Sequence, residues 1–363
     1  MKTILRTFVG CTAILFGTAC MGAVKYVPEN MKVELSLKVP GNNAVNYKLH
    51  PDKLENSYFD YEWRSDNKLP ITVFHKVEER DSCMRLTVQL TAAQDVYFNY
   101  RQLLSTGYRH DNCQFYMPGF WYRRNLRSPK KAPSFHTSDS WLVREDRLSA
   151  PLTGIFSEKE KRFMTVNRLD DFSMDALATH KEGEIILSGK TSLGFTGFEN
   201  QQGIAMLSFG FPYREAPKSY IRKLTLAPEV EAFQLMKKGE SVLLTWEIME
   251  SGADDFSDFI QHTWEHCYDT YAPKPVENSY SIADMKQVLS CFFVNSLVDN
   301  QPLVYNSGIH LKVSDCERNG QAEVGFIGRV LLNAFNAWEY GWQSNREELK
   351  VNSTKTVSYT HLT

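Results

Sequence analysis

The hydrophobic periodicity of this chain changes once, and that change constrains the fold more than any other feature. From Met31 to about Glu250, apolar and polar residues alternate, as in VELSLKV at 33–39 and MRLTVQL at 84–90. After Asp254, apolar residues recur at spacings of three and four instead. Alternation is typical of strands with one buried face, and the longer spacing is typical of amphipathic helices. The sequence therefore predicts a mixed fold, with β structure first and α structure second.

The β part is interpreted as a large antiparallel β-sandwich at 24–250. Turn signals such as Gly41-Asn42-Asn43, Pro118-Gly119 and Lys238-Gly239 separate its alternating runs. No helical pattern lies between the runs, which argues against parallel βαβ units. The predicted strands are 33–39, 71–77, 84–90, 96–100, 163–166, 184–187, 204–211 and 242–248.

The α part begins with a linker helix, assigned to 251–280. Ser251 or Asp254 is its expected N-cap, and Ala272-Pro273-Lys274-Pro275 is its expected end. Its apolar stripe consists of Phe256, Phe259, Ile260, Trp264 and Tyr268.

Further helices are predicted at 281–351. Ser281, followed three residues later by Asp284, predicts a capping-box-like helix start. A third helix is predicted from about Ala322 to Tyr340, and a fourth begins in 346–351. The segment 352–363 loses the helical period, so we expect a disordered or non-native tail on a natural chain that is longer.

The N-terminus predicts export. Residues 1–19 combine basic residues, a short apolar run and small residues, as secretory signal peptides do. Cleavage before Cys20 would leave a cysteine for lipidation, with plain secretion as the alternative. The expected location is the periplasm or the outer-membrane surface, with membrane contact only through the lipid. A formal net charge of -2 gives no indication of nucleic-acid binding.

Several sequence patterns were tested for cofactor or metal chemistry. HTWEH at 262–266 places two histidines at i and i+4 on a helix, as in inverted zinc peptidases. No downstream third ligand accompanies it, so no metal is predicted. Glycine-rich nucleotide loops and a GxSxG element are both missing from the sequence, so no cofactor is predicted. The cysteines after Cys20 leave disulfides and free thiols as equal alternatives.

Two carboxylates are the candidate catalytic residues. Glycoside hydrolysis uses a pair of carboxyl groups on opposite sides of the sugar bond. Asp315 and Glu323 flank a polar loop just before the third predicted helix. The alternative for Glu323 is that it only stabilises the first turn of that helix.

An aromatic loop is the candidate binding element. CQFYMPGFWYRRN at 113–125 sets five aromatic residues around a Pro-Gly turn and ends in two arginines. A long polar stretch follows it, and long ordered loops are commonly functional. Aromatic faces stack on sugar rings, and arginine binds carboxylates in bidentate fashion. The predicted substrate-binding residues are Trp121, Tyr122, Arg123, Arg124 and Trp141. The alternative is that the rings pack between the sandwich and the helices.

The layout resembles bacterial carbohydrate-active enzymes that join an N-terminal supersandwich to an (α/α)6 toroid, the six-hairpin glycosidases of Bacteroidota. The local resemblance rests on FYMPGFWYRRN at 115–125 and GQAEVGFIGRVLLNAFNAWEYG at 320–341. It implies that the predicted helices at 281–351 open a toroid, that the acids come from the toroid, and that carbohydrate is the partner.

Three classes of function follow from this interpretation. The first is a glycoside hydrolase acting on a glycan in a cleft between sandwich and helices, with a polysaccharide lyase as its close variant. The second is a non-catalytic glycan-binding surface lipoprotein. The third is a structural envelope protein without a ligand.

Overall fold

A computed structural model describes residues 27–80, 83–170, 182–222, 224–275, 277–295, 297–298, 304–305, 309–311, 316–318 and 329–360. The chain divides into two compact units, Met1–Ala272 and Pro273–Thr363. Among the described residues, the first contains nearly all of the β structure and one helix, and the second contains three helices. The predicted order of β before α is therefore confirmed.

The described strands of the first unit are short to medium in length, and all are numbered in chain order. They are β1 (Met31–Lys38), β2 (Val45–Lys53), β3 (Tyr61–Arg64), β4 (Ile71–Glu79), β5 (Cys83–Ala92), β6 (Val96–Arg109), β7 (Cys113–Met117), β8 (Trp121–Arg123), β9 (Trp141–Arg144), β10 (Leu152–Ser157), β11 (Arg162–Arg168), β12 (Gly183–Ile186), β13 (Phe195–Gln201), β14 (Ile204–Phe211), β15 (Arg214–Glu215), β16 (Ser219–Arg222), β17 (Thr225–Ala227), β18 (Val230–Met236) and β19 (Ser241–Gly252). Short 3-10 turns occupy Pro28–Asn30, His110–Asn112 and Glu145–Arg147.

Strand pairing forms two layers. One layer runs β9-β13-β14-β6-β1-β2, and the other runs β8-β7-β10-β11-β19-β5-β4-β3. Strand β2 pairs with β1 through its first half and with β3 through its second half, so it joins the layers. All of these pairs are antiparallel, whereas β12 pairs in parallel with β18. The predicted antiparallel sandwich is confirmed.

The main core lies between the two layers. Phe209 of β14 meets Trp246 of β19 with ring centroids 5.2 Å apart. Polar residues also cross the interior, since the hydroxyl of Thr196 donates to that of Thr153 at 2.8 Å. Alternation places apolar side chains inward along each strand, as the burial pattern of β5 shows.

Helix α1 (Phe256–Tyr271) packs on the second layer within the first unit. Asp255 caps it by accepting from the backbone N–H groups of Ser257 and Asp258, one residue beyond the expected cap. Phe259 is fully buried against Gly154, where an added Cβ would lie 2.5 Å from its ring.

The buried face of α1 differs from the predicted stripe. Thr263 and Cys267 are buried, whereas Trp264 and Tyr268 are 39% and 65% exposed. Gly154 leaves room for the ring of Phe259, and Thr263 and Cys267 follow Phe259 at spacings of four, so they lie on the same buried face of the helix.

The second unit contains helices α2 (Ile282–Asn295), α3 (Arg329–Gln343) and α4 (Glu347–Thr360) in the part of the chain that is described. It also contains the strand pairs β20 (Leu297–Val298) with β21 (Val304–Tyr305) and β22 (Ile309–Leu311) with β23 (Cys316–Arg318). These short strands were not predicted. No described helix has the length and apolar character needed to cross a bilayer.

The predicted start of α2 is found in the structure, whereas the predicted end of the last helix is not. The side chain of Ser281 accepts from the backbone N–H of Asp284, and Asp284 accepts from both the hydroxyl and the backbone N–H of Ser281, so the reciprocal box is present. Helix α4 continues past 351 to Thr360, contrary to the expected loss of helix. Its buried residues there are Ser353 and Thr356. Small polar residues fill that interface, so a hydrophobic pattern does not register it.

Candidate functional site

The β7–β8 hairpin carries the aromatic loop, and its two faces have different surroundings. The register pairs Met117 with Trp121 and Tyr116 with Tyr122. Met117 and Trp121 point into the core and are fully buried. Tyr116 points toward α1, where its hydroxyl accepts from the indole N–H of Trp264 at 2.8 Å. Burial raises the pKa of the Tyr116 hydroxyl.

Trp121 and Trp141 are corrections to the predicted binding set. Neither has any exposed fraction, and their rings lie 5.8 Å apart within the sandwich core. Their indole N–H groups donate to the backbone carbonyls of Arg123 at 2.9 Å and Ser138 at 3.1 Å. These tryptophans have neither surface nor a free donor for a ligand, because the strand period turns both inward.

The connection from Arg124 to Ser140 is held by its own hydrogen bonds. The side-chain amide of Asn125 donates to the carbonyls of Phe120 and Pro133, each at 3.2 Å. Asn125 also accepts from the backbone N–H of Tyr122 at 3.1 Å. The ring of His136 bonds the Leu126 carbonyl at 2.9 Å. Such cross-linking holds the loop in one arrangement, which lowers the entropy cost of binding.

Arg124 acts as a structural clamp on this loop. Its guanidinium donates to the backbone carbonyl of Cys113 at 3.2 Å and to that of Asp111. The same group lies over the ring of Phe135 at 5.1 Å. Two nitrogen atoms of the Arg124 guanidinium therefore donate within the protein, which leaves fewer of its N–H groups for any other partner.

An open groove of about 680 Å³ lies beside the loop. Most of its lining residues are polar, and three of them are arginines. The lining residues are Gln114, Tyr122, Arg123, Arg124, Asn125, Leu126, Arg127, Ser128 and Glu158. Three predicted residues, Tyr122, Arg123 and Arg124, therefore meet in one groove.

Arg123 and Arg127 are the groove's available cations. Among the described residues, neither arginine forms an ion pair within 4.0 Å. Arg123 has φ of 58°, a left-handed conformation that is uncommon for a side chain of this kind. Its guanidinium lies 5.2 Å from the ring of Phe256 on α1. Unusual backbone geometry of this sort is concentrated at binding and catalytic sites.

Gln114, Arg127 and Glu158 also line the groove and were not among the predicted binding residues. Gln114 donates through its side-chain amide to the carboxylate of Glu158, which lies in the turn after β10. Glu158 gave no local signal, since an exposed acid in a turn is ordinary. Arg127 lies in the polar stretch that follows the aromatic loop, where the sequence does not distinguish it from neighbouring basic residues such as Lys130 and Lys131.

The groove lining combines an aromatic ring, three arginines and one carboxylate. An exposed ring, Tyr122 at 52%, stands beside cationic donors. Glu158 is the one carboxylate in the lining, so the groove itself does not supply the carboxylate pair of a glycosidase. It suits a flat ligand that carries negative charge.

The other predicted residues fall elsewhere. Asp315 and Glu323, the candidate catalytic residues, and Cys20, the candidate lipidation site, lie outside the described residues. Of the HTWEH histidines, His266 bonds the carboxylate of Glu247 at 2.8 Å, while His262 lies 3.5 Å from Asp258 with a side chain 44% exposed. Cys83, Cys113, Cys267 and Cys291 are free thiols, and burial raises the pKa of Cys113 to about 12.

No family model and no curated protein matches this chain. Solved structures that match in part include a polysaccharide lyase, with 13% identity, a TM-score of 0.32, and coverage of 64% of this chain and 27% of the lyase. A GH36 alpha-galactosidase from Geobacillus stearothermophilus matches with 10% identity, a TM-score of 0.29, and coverage of 60% and 30%.

A third match is the Slr1438 protein from Synechocystis sp. PCC 6803, with 8% identity, a TM-score of 0.32, and coverage of 60% of this chain and 73% of that protein. This chain thus spans about a quarter of the lyase's length. The chain is similar to these proteins over part of its length, and TM-scores this low assign neither a family nor an activity.

Proposed function

We propose that this protein is a carbohydrate-active protein whose β7–β8 groove binds an acidic saccharide. The observation that carries the proposal is the pair of arginines, Arg123 and Arg127, which line the groove without a described carboxylate partner beside the exposed ring of Tyr122. A sugar presents an apolar face to an aromatic ring and polar edges to its surroundings. A uronate adds a carboxylate that matches the planar fork of a guanidinium.

The geometry favours an acidic glycan over a neutral one. Arg124 already donates to backbone carbonyls. Arg123 and Arg127 form no ion pair within 4.0 Å among the described residues, so they are the groove cations best able to bind a carboxylate. An unpaired cation gains more from a carboxylate than from a hydroxyl, because hydrogen bonds between ionised groups are the stronger ones. The openness of the groove suits a polymer that passes through it.

Calorimetric titration of the full chain with oligogalacturonate tests this proposal. We expect saturable binding that weakens with added salt, since the contact is between charges at a surface. Arg123→Gln and Arg127→Gln should each weaken binding by about 5- to 30-fold, the equivalent of about 1–2 kcal/mol. Arg64→Gln, on β3 and outside the groove lining, is the charge-matched control and should bind normally.

The outcome that would refute the proposal is equally specific. Equal affinity for the methyl-esterified oligosaccharide would show that carboxylates are not recognised. Binding that survives in the double variant of Arg123 and Arg127 would place the site elsewhere. Retention of the far-ultraviolet circular dichroism of the parent protein separates lost binding from lost folding.

We further propose catalysis by the whole protein, as a glycoside hydrolase or a polysaccharide lyase. The free arginines favour the lyase variant, because lyases must neutralise the uronate carboxylate. A lyase leaves an unsaturated sugar that absorbs ultraviolet light, and a hydrolase does not. Asp315→Asn and Glu323→Gln test the proposed acids, and unchanged turnover in both would remove them from the mechanism.

The proposal includes export and an anchor. The basic, apolar and small-residue order of 1–19 supports a signal peptide, and Cys20 supports a lipid. The mass of the mature N-terminal peptide tests both. A diacylated cysteine at position 20 is expected, and an unmodified residue there would leave plain secretion.

A further inference from the structure

Three metal-ligating side chains from distant parts of the sequence meet beneath helix α1. They are Cys83 at the start of β5, Glu247 in β19 and His266 in α1. Their ligand atoms all lie within 4.8 Å of one another. We propose that they form a zinc-binding site that holds α1 against the sheet.

The strand register explains how two of the ligands come together. In the β5–β19 pair, Cys83 stands opposite Met249 and Arg85 stands opposite Glu247. Residues two apart on a strand share a face, so Cys83 and Glu247 are diagonal neighbours on the face that meets α1. Cys83 and Met249 belong to the apolar cluster that also holds Phe259.

The helix supplies the third ligand. Cys267 is buried on the face of α1 that packs on the sheet, and His266 lies beside it with a side chain 21% exposed. The Nε2 atom of His266 lies 2.8 Å from the Oε1 atom of Glu247. His262, one turn earlier, lies outside this cluster.

The donor set fits zinc. Sulfur, imidazole nitrogen and carboxylate oxygen are the three kinds of ligand that Zn²⁺ takes in proteins. With metal–ligand distances of about 2.0–2.3 Å, ligand atoms on one ion lie about 3–4 Å apart. The ligand atoms lie within 4.8 Å of one another, so metal binding would draw the widest pair together and open the 2.8 Å contact between Nε2 and Oε1. Water would complete the tetrahedron on the partly exposed side of His266.

The surroundings of the cluster fit an ion as well. Glu247 is 3% exposed, and a thiolate with a carboxylate would balance the charge of a divalent cation. The hydroxyl of Thr270 donates to Oε1 of Glu247 at 3.0 Å, which orients the carboxylate. Arg85 approaches the other oxygen, Oε2, at 3.5 Å, so a metal at Oε1 would replace the hydrogen bond that Oε1 makes with His266. Outer contacts of this kind tune metal affinity.

The ion would have a structural role. It would join β5 to β19 and α1, which are distant from β5 in the sequence, as Cys83 and His266 show. A metal bound only in the folded state stabilises that state by mass action. The predicted substrate groove lies in other residues, so this site is independent of the proposed saccharide binding.

Metal titration of the chelator-treated, reduced full chain tests the inference. We expect equimolar binding of Zn²⁺, and with Co²⁺ a thiolate-to-metal charge-transfer absorption. Loss of an outer-sphere partner alone costs about 10–100-fold in affinity, so Cys83→Ser and His266→Gln should each weaken binding at least about 10-fold. Zn²⁺ should raise the thermal unfolding midpoint of the parent and not of these variants.

Two matched controls separate this cluster from other sources of binding. Cys113→Ser replaces a buried thiol in β7, outside the cluster, and His262→Gln replaces the other histidine of HTWEH. Both should bind zinc like the parent. Glu247→Gln keeps the size of the ligand and guards against a folding defect in Cys83→Ser.

Two results would overturn the inference. One is the lack of saturable Zn²⁺ or Co²⁺ binding by the folded parent, which would leave the cluster as a hydrogen-bonded network. The other is unchanged binding in Cys83→Ser and Glu247→Gln, or a loss in His262→Gln as large as in His266→Gln, which would assign binding to the linear motif.

Discussion

The arginines of the sandwich interior and those of the groove differ in their ion pairs and in their exposure to solvent. Arg168 is buried, donates to Glu145 at 2.7 Å and to Asp170 at 3.0 Å, and has a side chain only 4% exposed. Arg123 and Arg127 line an open groove and have no described ion-pair partner. Arg168 is bound within the fold by two carboxylates, whereas we propose that the groove arginines bind a ligand.

The difference lies in what folding leaves unsatisfied. Glu145 has no exposed fraction, and its Oε2 accepts from Arg168 and from the backbone N–H of Gly194 at 2.7 Å. Burial raises the pKa of Glu145, and the neighbouring Arg168 opposes that rise. A buried charge without its partner is costly, whereas an exposed one is solvated. The interior arginine is therefore held by its carboxylates, whereas the groove arginines Arg123 and Arg127 are exposed to solvent.

The largest effect is expected at Trp121, the buried neighbour of Tyr122. Trp121→Ala should lower the free energy of unfolding by about 3–5 kcal/mol, because it opens a cavity in the core. Tyr122→Ala should cost less than about 1 kcal/mol, because its ring is half exposed, and should weaken saccharide binding instead. Urea unfolding measures both. Similar losses in the two variants would contradict the assigned faces of β8.

A comparable loss is expected from the interior ion pair. Arg168→Met should destabilise the protein by about 3–5 kcal/mol, since it leaves Glu145 buried without its cation. Arg127→Gln is the matched control and should stay within about 0.5 kcal/mol. Adding Glu145→Leu to Arg168→Met should recover part of the loss. A change below about 1 kcal/mol in Arg168→Met would show that the pair is not what stabilises this region.

A smaller, pH-dependent effect is expected at His75. Its Nε2 bonds the hydroxyl of Tyr100 at 2.7 Å, and burial lowers its pKa from 6.5 to about 3. The unfolded chain therefore binds a proton first, so the stability that neutral His75 contributes is present above pH 6.5 and is lost as the pH falls toward 3. From pH 7 to pH 5 the loss should be about 2 kcal/mol.

The measurement for His75 is urea unfolding across that pH range. His75→Gln removes the titrating group, so the acid-side slope should flatten. His50→Gln, at an exposed site in β2, should leave the slope as in the parent. An equal slope in His75→Gln and the parent would assign the acid sensitivity to other groups.

The strands with clear alternation were predicted well, and those without it were missed. β4 and β5 lie where the pattern placed them, because each has one face in the core. β10 was missed because all six of its residues are buried, which erases the alternation. β2 was missed because its residues are mostly exposed and it contains Pro51.

For the groove, sequence indicated the loop but not its inward and outward residues. Trp121 and Tyr122 are neighbours, and either ring could stack on a sugar. Only the register with β7 shows that Trp121 points into the core and that Tyr122 does not. Likewise Arg124 looks as available as Arg123 in sequence, yet carbonyls of Cys113 and Asp111 occupy its donors. Such distinctions depend on contacts between chain segments.

The sequence by itself determined the order of β before α, the strands with one buried face and the capped start of α2, because each of these is written in the spacing of nearby residues. Tertiary structure alone decided which arginines form ion pairs and which do not. It also brought Cys83, Glu247 and His266 together. The physical reason is that periodicity reports a residue's immediate neighbours, while burial and pairing depend on strand register across the whole sandwich.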